Sequence, residues 1–157
     1  MIKEYKAYYK SEIGLIEIKG TEDGILSIDF IEKFMDNFEI PPCLKECVKQ
    51  LDEYFRENRE EFSVNLLLQG TDFQNKVWRE LVKIPFGETA SYMDIAVSMG
   101  NKKAARAVGN ANRKNKIAII IPCHRVINND GSLGGYAGGI WRKKWLLKHE
   151  RDGSRNL

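Results

Sequence analysis

The sequence predicts a mixed α/β (α+β) chain: a small sheet-and-helix unit, then a mostly helical unit with a helix-turn-helix. Three observations carry this: alternating apolar residues over the first forty positions, apolar residues at helical spacing beyond them, and a reversal of charge near Gly70. Residues 1–70 hold 9 Lys and Arg against 15 Asp and Glu, a net of −6, and residues 71–157 hold 16 against 7, a net of +9, giving the chain's +3. The expected units are therefore 1–69 and 70–157. At 157 residues, with 43% hydrophobic and 30% charged, the chain suits one ordinary domain or two small ones.

Tyr5, Ala7 and Tyr9, then Ile16 and Ile18, then Leu26, Ile28 and Phe30 alternate with polar residues, and Asp23-Gly24 is a hairpin turn signal. These predict a small antiparallel sheet. Pro41-Pro42 opens a helix whose Leu44, Val48, Leu51 and Phe55 fall on one stripe. Phe62–Leu68 is expected to add one more strand. In the second unit Thr71 and Gln74 have capping-box spacing, Phe73, Val77 and Leu81 form a core face, and Pro85 ends the helix. Ser91 and Asp94 repeat the cap ahead of Tyr92, Ile95, Ala96 and Met99, and Gly100-Asn101 stops that helix.

A helix from Lys102 to about Arg113 follows after a very short turn, the arrangement of a helix-turn-helix. Ala104, Val108 and Ala111 lie on one side, and Arg106, Asn110 and Arg113 on the other. Ala105, Ala107 and Gly109 keep this helix thin. The basic half, residues 71–157, suits a polyanion, although charge alone fits a solvated lysine-rich surface equally well. The longest apolar stretch, Ile117–Pro122, is far short of the ~20 residues of a membrane-spanning helix, and the N-terminus lacks a signal-peptide core. A cytoplasmic, monomeric protein without membrane contact is expected.

Ile117–Ile121 reads as an extended segment buried on both sides, which Pro122 terminates. Cys123 then emerges beside His124 and Arg125. Cationic neighbours favour the nucleophilic thiolate and burial opposes it, so the thiol needs a base. On extended backbone, His124 and Cys123 point to opposite faces, which makes a bridging water the expected link. A third group should orient the imidazole, and Glu150, on a last helix over Trp141–Glu150 that packs Trp145 and Leu146 inward, is the best carboxylate. Three cysteines make no disulfide framework, and two histidines, His124 and His149, leave Cys43 and Cys47 as packed or partly exposed thiols rather than metal ligands. No metal site is expected.

Ile121-Pro-Cys-His-Arg-Val126 resembles the active-site signature of the O6-alkylguanine-DNA alkyltransferases, the methylated-DNA–protein-cysteine methyltransferases. Phe86-Gly-Glu-Thr-Ala-Ser-Tyr92, Ala104-Ala-Arg-Ala-Val-Gly109, Gly135-Tyr-Ala-Gly-Gly139 and Trp145-Leu-Leu-Lys-His-Glu150 follow in the family's order and spacing. The resemblance implies a ribonuclease-H-like first domain and a winged-helix-like second domain that binds duplex DNA containing O6-alkylguanine, with no cofactor. It implies that Cys123 takes the alkyl group irreversibly, His124 deprotonates it through a water, and Glu150 holds the histidine. Arg106 resembles the finger that replaces the flipped base, on a minor-groove helix presenting Ala105, Gly109, Asn110 and Arg113. Tyr92 matches the tyrosine beside the flipped nucleotide, and Asn115 the hinge behind the active-site segment. Tyr136, Ala137 and Gly138 match the guanine-pocket loop, with Val126 and Asn112 completing the pocket. Ala137 stands where some relatives carry serine, and Asn112 where an apolar residue is frequent.

Two other readings use the same residues. A cysteine hydrolase built on Cys123, His124 and Glu150 leaves the helix-turn-helix without a purpose. A non-enzymatic DNA-binding regulator leaves Cys123 without one.

Overall fold

The computed structural model describes residues 2–33 and 39–155, in two compact units bounded at Met1–Leu68 and Gln69–Leu157. In the first, β1 (Tyr5–Ser11), β2 (Gly14–Thr21) and β3 (Gly24–Ile31) form an antiparallel meander in that order. Two-residue alternation sets the register: Ala7 opposes Ile18, which opposes Ile28, so a row of buried side chains crosses one face. The Asp23-Gly24 turn forms as expected, with Thr21 Oγ1 accepting the Asp23 N–H. A register shift at Lys19/Gly20 precedes it, and a Cβ on Gly20 would lie 2.7 Å from the Gly24 carbonyl oxygen. Only glycine fits there.

Pro42–Leu44 makes one 3-10 turn before α1 (Lys45–Phe55). Leu44, Cys47, Leu51, Tyr54 and Phe55 are its buried stripe, and Tyr9 anchors the helix to the sheet by donating to Asp52 (2.9 Å) and stacking on Phe55. Phe62–Leu68 is not the strand the sequence suggested. It makes one isolated parallel bridge, Ile25 to Leu66, in which the Ile25 N–H donates to the Asn65 carbonyl and the Leu67 N–H to the Ile25 carbonyl, both at 2.8 Å, and at its start Gln50 holds Ser63 instead: the Ser63 N–H donates to Gln50 Oε1 and Gln50 Nε2 donates to Ser63 Oγ. An apolar run does not show whether a neighbouring side chain will intercept its ladder.

In the second unit α2 (Asp72–Val82) and α3 (Tyr92–Ser98) each begin with a complete capping box, Thr71 with Gln74 and Ser91 with Asp94. Trp78 is buried under α4 (Ala105–Arg113), donating its indole N–H to the Ala111 carbonyl at 2.9 Å. A Cβ on Gly70 would lie 2.6 Å from the Trp78 ring. Gly100, at φ +79, and Asn101, whose Oδ1 accepts from the Lys103 N–H, reverse the chain between α3 and α4. Ala90–Ser91 (β4) pairs in parallel with Val126–Ile127 (β5), and α5 (Ile140–Arg155) closes the unit with Leu146 buried. Trp145 is only half-buried, its ring stacked on His149. No helix among the described residues is long and apolar enough to cross a membrane.

Ile117–Ile121 is buried as expected but is not extended. Asn115 folds it into turns, donating Nδ2 to the Ile117 and Ile121 carbonyls (3.3 and 2.9 Å) and accepting the Ile117 N–H on Oδ1. Ile119 is thereby held at φ +70, a conformation that costs a β-branched residue of order 1–3 kcal/mol. One asparagine side chain substitutes for a strand partner.

Candidate active site

Cys123, His124 and Arg125 form one 3-10 turn after Pro122 and all three are buried. The backbone is therefore not the extended one that would send Cys123 and His124 to opposite faces. His124 is fully buried, its Nε2 lying 2.6 Å from Glu150 Oε2. Its Nδ1 is buried without a partner among the described residues, so only water or substrate can meet it. Glu150 also accepts a two-pronged bond from Arg125, Nε at 2.7 Å and Nη2 at 3.1 Å, while Arg125 Nη1 donates to the Ile84 carbonyl at 2.7 Å. Burial pushes the Glu150 carboxyl up, yet His124 and Arg125 together hold it well below the ordinary carboxylate range.

Burial likewise raises the Cys123 thiol, against a hydrogen bond from Asn115 and the positive charge of Lys143. The same Asn115 side chain holds the Ile117 and Ile121 carbonyls of the preceding turns. Asn112, inside α4, donates to the Cys123 carbonyl at 3.3 Å and its Oδ1 is buried without a partner among the described residues. The Tyr136 hydroxyl is in the same condition. Tyr92 is half-buried, and burial keeps its phenol protonated above the usual value. Val126 is fully buried, Gly138 gives its carbonyl to Arg142, and Ala137 is exposed.

Beside these residues opens a cleft of ≈ 390 Å³ lined by Tyr92, Ala105, Arg106, Gly109, Arg113 and Asn128 among others. Arg106 and Arg113 are exposed along α4, and Arg113 donates to Asn110 at 2.7 Å. Gly109 lets α4 approach closely: a Cβ there would already be in contact with the Tyr92 ring at 3.7 Å. The cleft thus joins a cationic helix face to a half-buried, protonated tyrosine.

Sequence reasoning missed two residues. Arg125 was read only as a neighbour of the thiol, and its fork onto Glu150 could not be seen from spacing. Lys143 was not singled out at all, although it is fully buried and donates to the Val126 and Gly135 carbonyls. The signal was available: Lys143, Leu146 and Glu150 share one helical face at i, i+3, i+7. Cys47 is buried, its thiol pushed up to about 12 by burial, and no metal-ligating group of three or more is present among the described residues.

Comparison with known proteins agrees in both units. Residues 72–152 match the family model described as 6-O-methylguanine DNA methyltransferase, DNA binding domain, and residues 4–68 match its ribonuclease-like domain. A methylated-DNA–protein-cysteine methyltransferase of Methanosarcina barkeri is 46% identical over 158 residues, covering 96% of this chain and 99% of that protein. The crystal structure of Mycobacterium tuberculosis O6-methylguanine methyltransferase aligns with a TM-score of 0.86 at 42% identity, covering 96% of this chain and 94% of that one. The same organism's protein in complex with DNA aligns with a TM-score of 0.86 at 44% identity, covering 93% and 92%. This chain belongs to the 6-O-methylguanine DNA methyltransferase family.

Proposed function

We propose that this protein repairs duplex DNA by direct reversal, moving a methyl or other alkyl group from O6 of guanine irreversibly onto Cys123. The observation that carries the reading is a buried thiol next to an imidazole locked by a buried carboxylate, its other ring nitrogen left for water. The relatives are named for transfer of this kind, and one was solved with DNA.

Attack on a base edge requires the base to leave the stack, at a cost of a few kcal/mol. Arg106, exposed at the mouth of the cleft on a helix thinned by Ala105 and Gly109, fills the vacated space, and Arg113 and Asn110 lie along the backbone. The extruded purine then lies among Tyr136, Ala137, Gly138, Val126 and Asn112. His124, oriented by Glu150, takes the thiol proton through a water on Nδ1. The sulfur attacks the alkyl carbon, the carbon–O6 bond breaks, and its electron pair stays with the purine. Tyr92, protonated because it is buried, donates to the leaving guanine. The products are a thioether and unmodified guanine; the proton held by His124 returns through solvent to Tyr92, so that in sum the thiol proton replaces the alkyl group. A thioether has no easy leaving group, so each molecule acts once.

Incubation with a duplex containing O6-methylguanine should add the mass of one CH2 to the peptide containing Cys123, and Cys123→Ser should bind the duplex without gaining it. Repair without a mass change on that peptide refutes the assignment.

A further inference from the structure

Asn128 closes the turn that follows β5. Its N–H donates to the Ser132 carbonyl at 2.9 Å, its carbonyl accepts the Gly131 N–H at 3.0 Å, and its Nδ2 donates to Ser132 Oγ at 2.9 Å. The direction of that last bond is fixed by the next one. Ser132 Oγ gives its proton to Asp130 Oδ1 at 2.6 Å. Asp130 also accepts the Ser132 N–H at 2.9 Å, and these bonds hold its carboxyl below the ordinary range, so it is ionised and can only accept. Ser132 Oγ is therefore the acceptor for Asn128, which turns the amide nitrogen toward Ser132 and leaves Oδ1 on the other side. No donor among the described residues reaches that oxygen. A Cβ on Gly134, at φ +72, would lie 3.3 Å from Asn128 Oδ1 and 3.1 Å from the Tyr92 hydroxyl, and both side chains line the cleft beside α4. Glycine leaves the space between them open.

Arg106 and Arg113, across the cleft, can only donate, and Asn129, which also lines it, is exposed and held by no side-chain bond among the described residues. Asn128 Oδ1 is thus the aimed side-chain acceptor of this wall. The opposite wall, α4, presents Ala105 and Gly109, a profile slim enough for the minor groove, about 6 Å wide. That groove shows acceptors at every base pair and a single donor, the N2 amine of guanine. We propose that Asn128 is a specificity-determining residue: its Oδ1, aimed by the Asp130–Ser132 brace, accepts a hydrogen bond from the N2 amine of a guanine in a base pair next to the lesion. The inference rests on this face acting on duplex DNA. It makes repair depend on the neighbouring pair, with G·C favoured over A·T.

The test sets pairs of lesion duplexes in competition for limiting protein and reads which strand loses its methyl. Within a pair the duplexes differ by one amine in the base pair on one side of O6-methylguanine, each side being tried in turn. G·C competes with inosine·C, which lacks the N2 amine, and diaminopurine·T, which carries it, competes with A·T. A hydrogen bond between neutral groups is worth about 3- to 10-fold, so at one of the two positions wild type should prefer the amine-bearing duplex by that factor in both pairs. The amine also strengthens the neighbouring base pair, which hinders extrusion and works in the opposite direction, so the sign of the preference is diagnostic. Asn128→Ala should lose the preference. Ser132→Ala, which keeps Oδ1 but frees the amide to turn, should retain only part of it. Equal use of both duplexes by wild type on both sides, or an undiminished preference in Asn128→Ala, overturns the proposal. Where Asn128→Ala does not fold, Ser132→Ala decides in its place: a reduced preference supports the contact and an unchanged one overturns it. Binding competition with Cys123→Ser reads the same preference without transfer, so discrimination there by a protein whose wild type gains no methyl overturns the repair reading and supports the Asn128 contact.

Discussion

Replacing Glu150 by glutamine removes one negative charge from a fully packed site. The carboxylate is 1% exposed, and accepts Arg125 at 2.7 and 3.1 Å and His124 at 2.6 Å. Glutamine can accept one bond at its oxygen, but its NH2 faces a donor, and the Arg125 guanidinium keeps its charge with only the Ile84 carbonyl as a good partner. Breaking a buried ion pair by removing one member costs about 3–5 kcal/mol, a large share of the roughly 5–15 kcal/mol that holds a domain together. Urea denaturation, followed by a probe in the second unit, should show a loss of that size for Glu150→Gln. Replacing Arg125 by methionine in the same chain should return part of it, because the orphaned cation is then gone. The sign with pH follows from the same contacts. Glu150 titrates below its unfolded value, so its contribution is complete above the ordinary carboxylate range and fades as pH falls below about 4.5 toward the native value. Wild type should therefore lose stability on acidification more steeply than Glu150→Gln. A loss under about 1 kcal/mol in the single variant, or no recovery in the double variant, would refute the view that this carboxylate balances a buried cation.

Arg106→Ala should slow transfer from duplex DNA by about 10- to 100-fold, about 1.4–2.7 kcal/mol, while reaction with free O6-benzylguanine, which needs no flipping, changes little; equal losses on both substrates contradict the finger role. Duplex affinity should fall steeply with salt as Lys and Arg displace counterions, and filter binding between low and physiological salt measures the slope. Gly70→Ala should destabilise the second unit by about 1–3 kcal/mol in a melting experiment, since a Cβ there lies 2.6 Å from a buried indole ring that cannot retreat.

Much of the architecture was legible in the sequence because local chemistry specifies it. Thr71 with Gln74 and Ser91 with Asp94 satisfy helix-end donors within four residues, so spacing alone places α2 and α3. The apolar alternation of β1 to β3 and the thin helix α4 are read the same way. What failed was structure decided by side chains: Gln50 holds Ser63 at the start of Phe62–Leu68, which keeps one bridge rather than a ladder, and Asn115 folded Ile117–Ile121 into turns. Within the site, the sequence pointed to Cys123, His124 and Glu150, and the 2.6 Å contact lies where that pairing required it. Arg125 and Lys143 escaped notice because a buried cation leaves no mark of its own in a basic stretch such as Arg142-Lys-Lys144. Only the partners reveal it, and they lie 25 and 17 residues away.

A stoichiometric titration reaches the central claim most directly. With lesion-bearing duplex in tenfold excess, repaired guanine should stop accumulating at one equivalent per protein, with all the missing methyl recovered on Cys123. Product that keeps forming past that point, from a protein whose thiol is still free, would mean the sulfur is a recycled catalyst rather than the final acceptor.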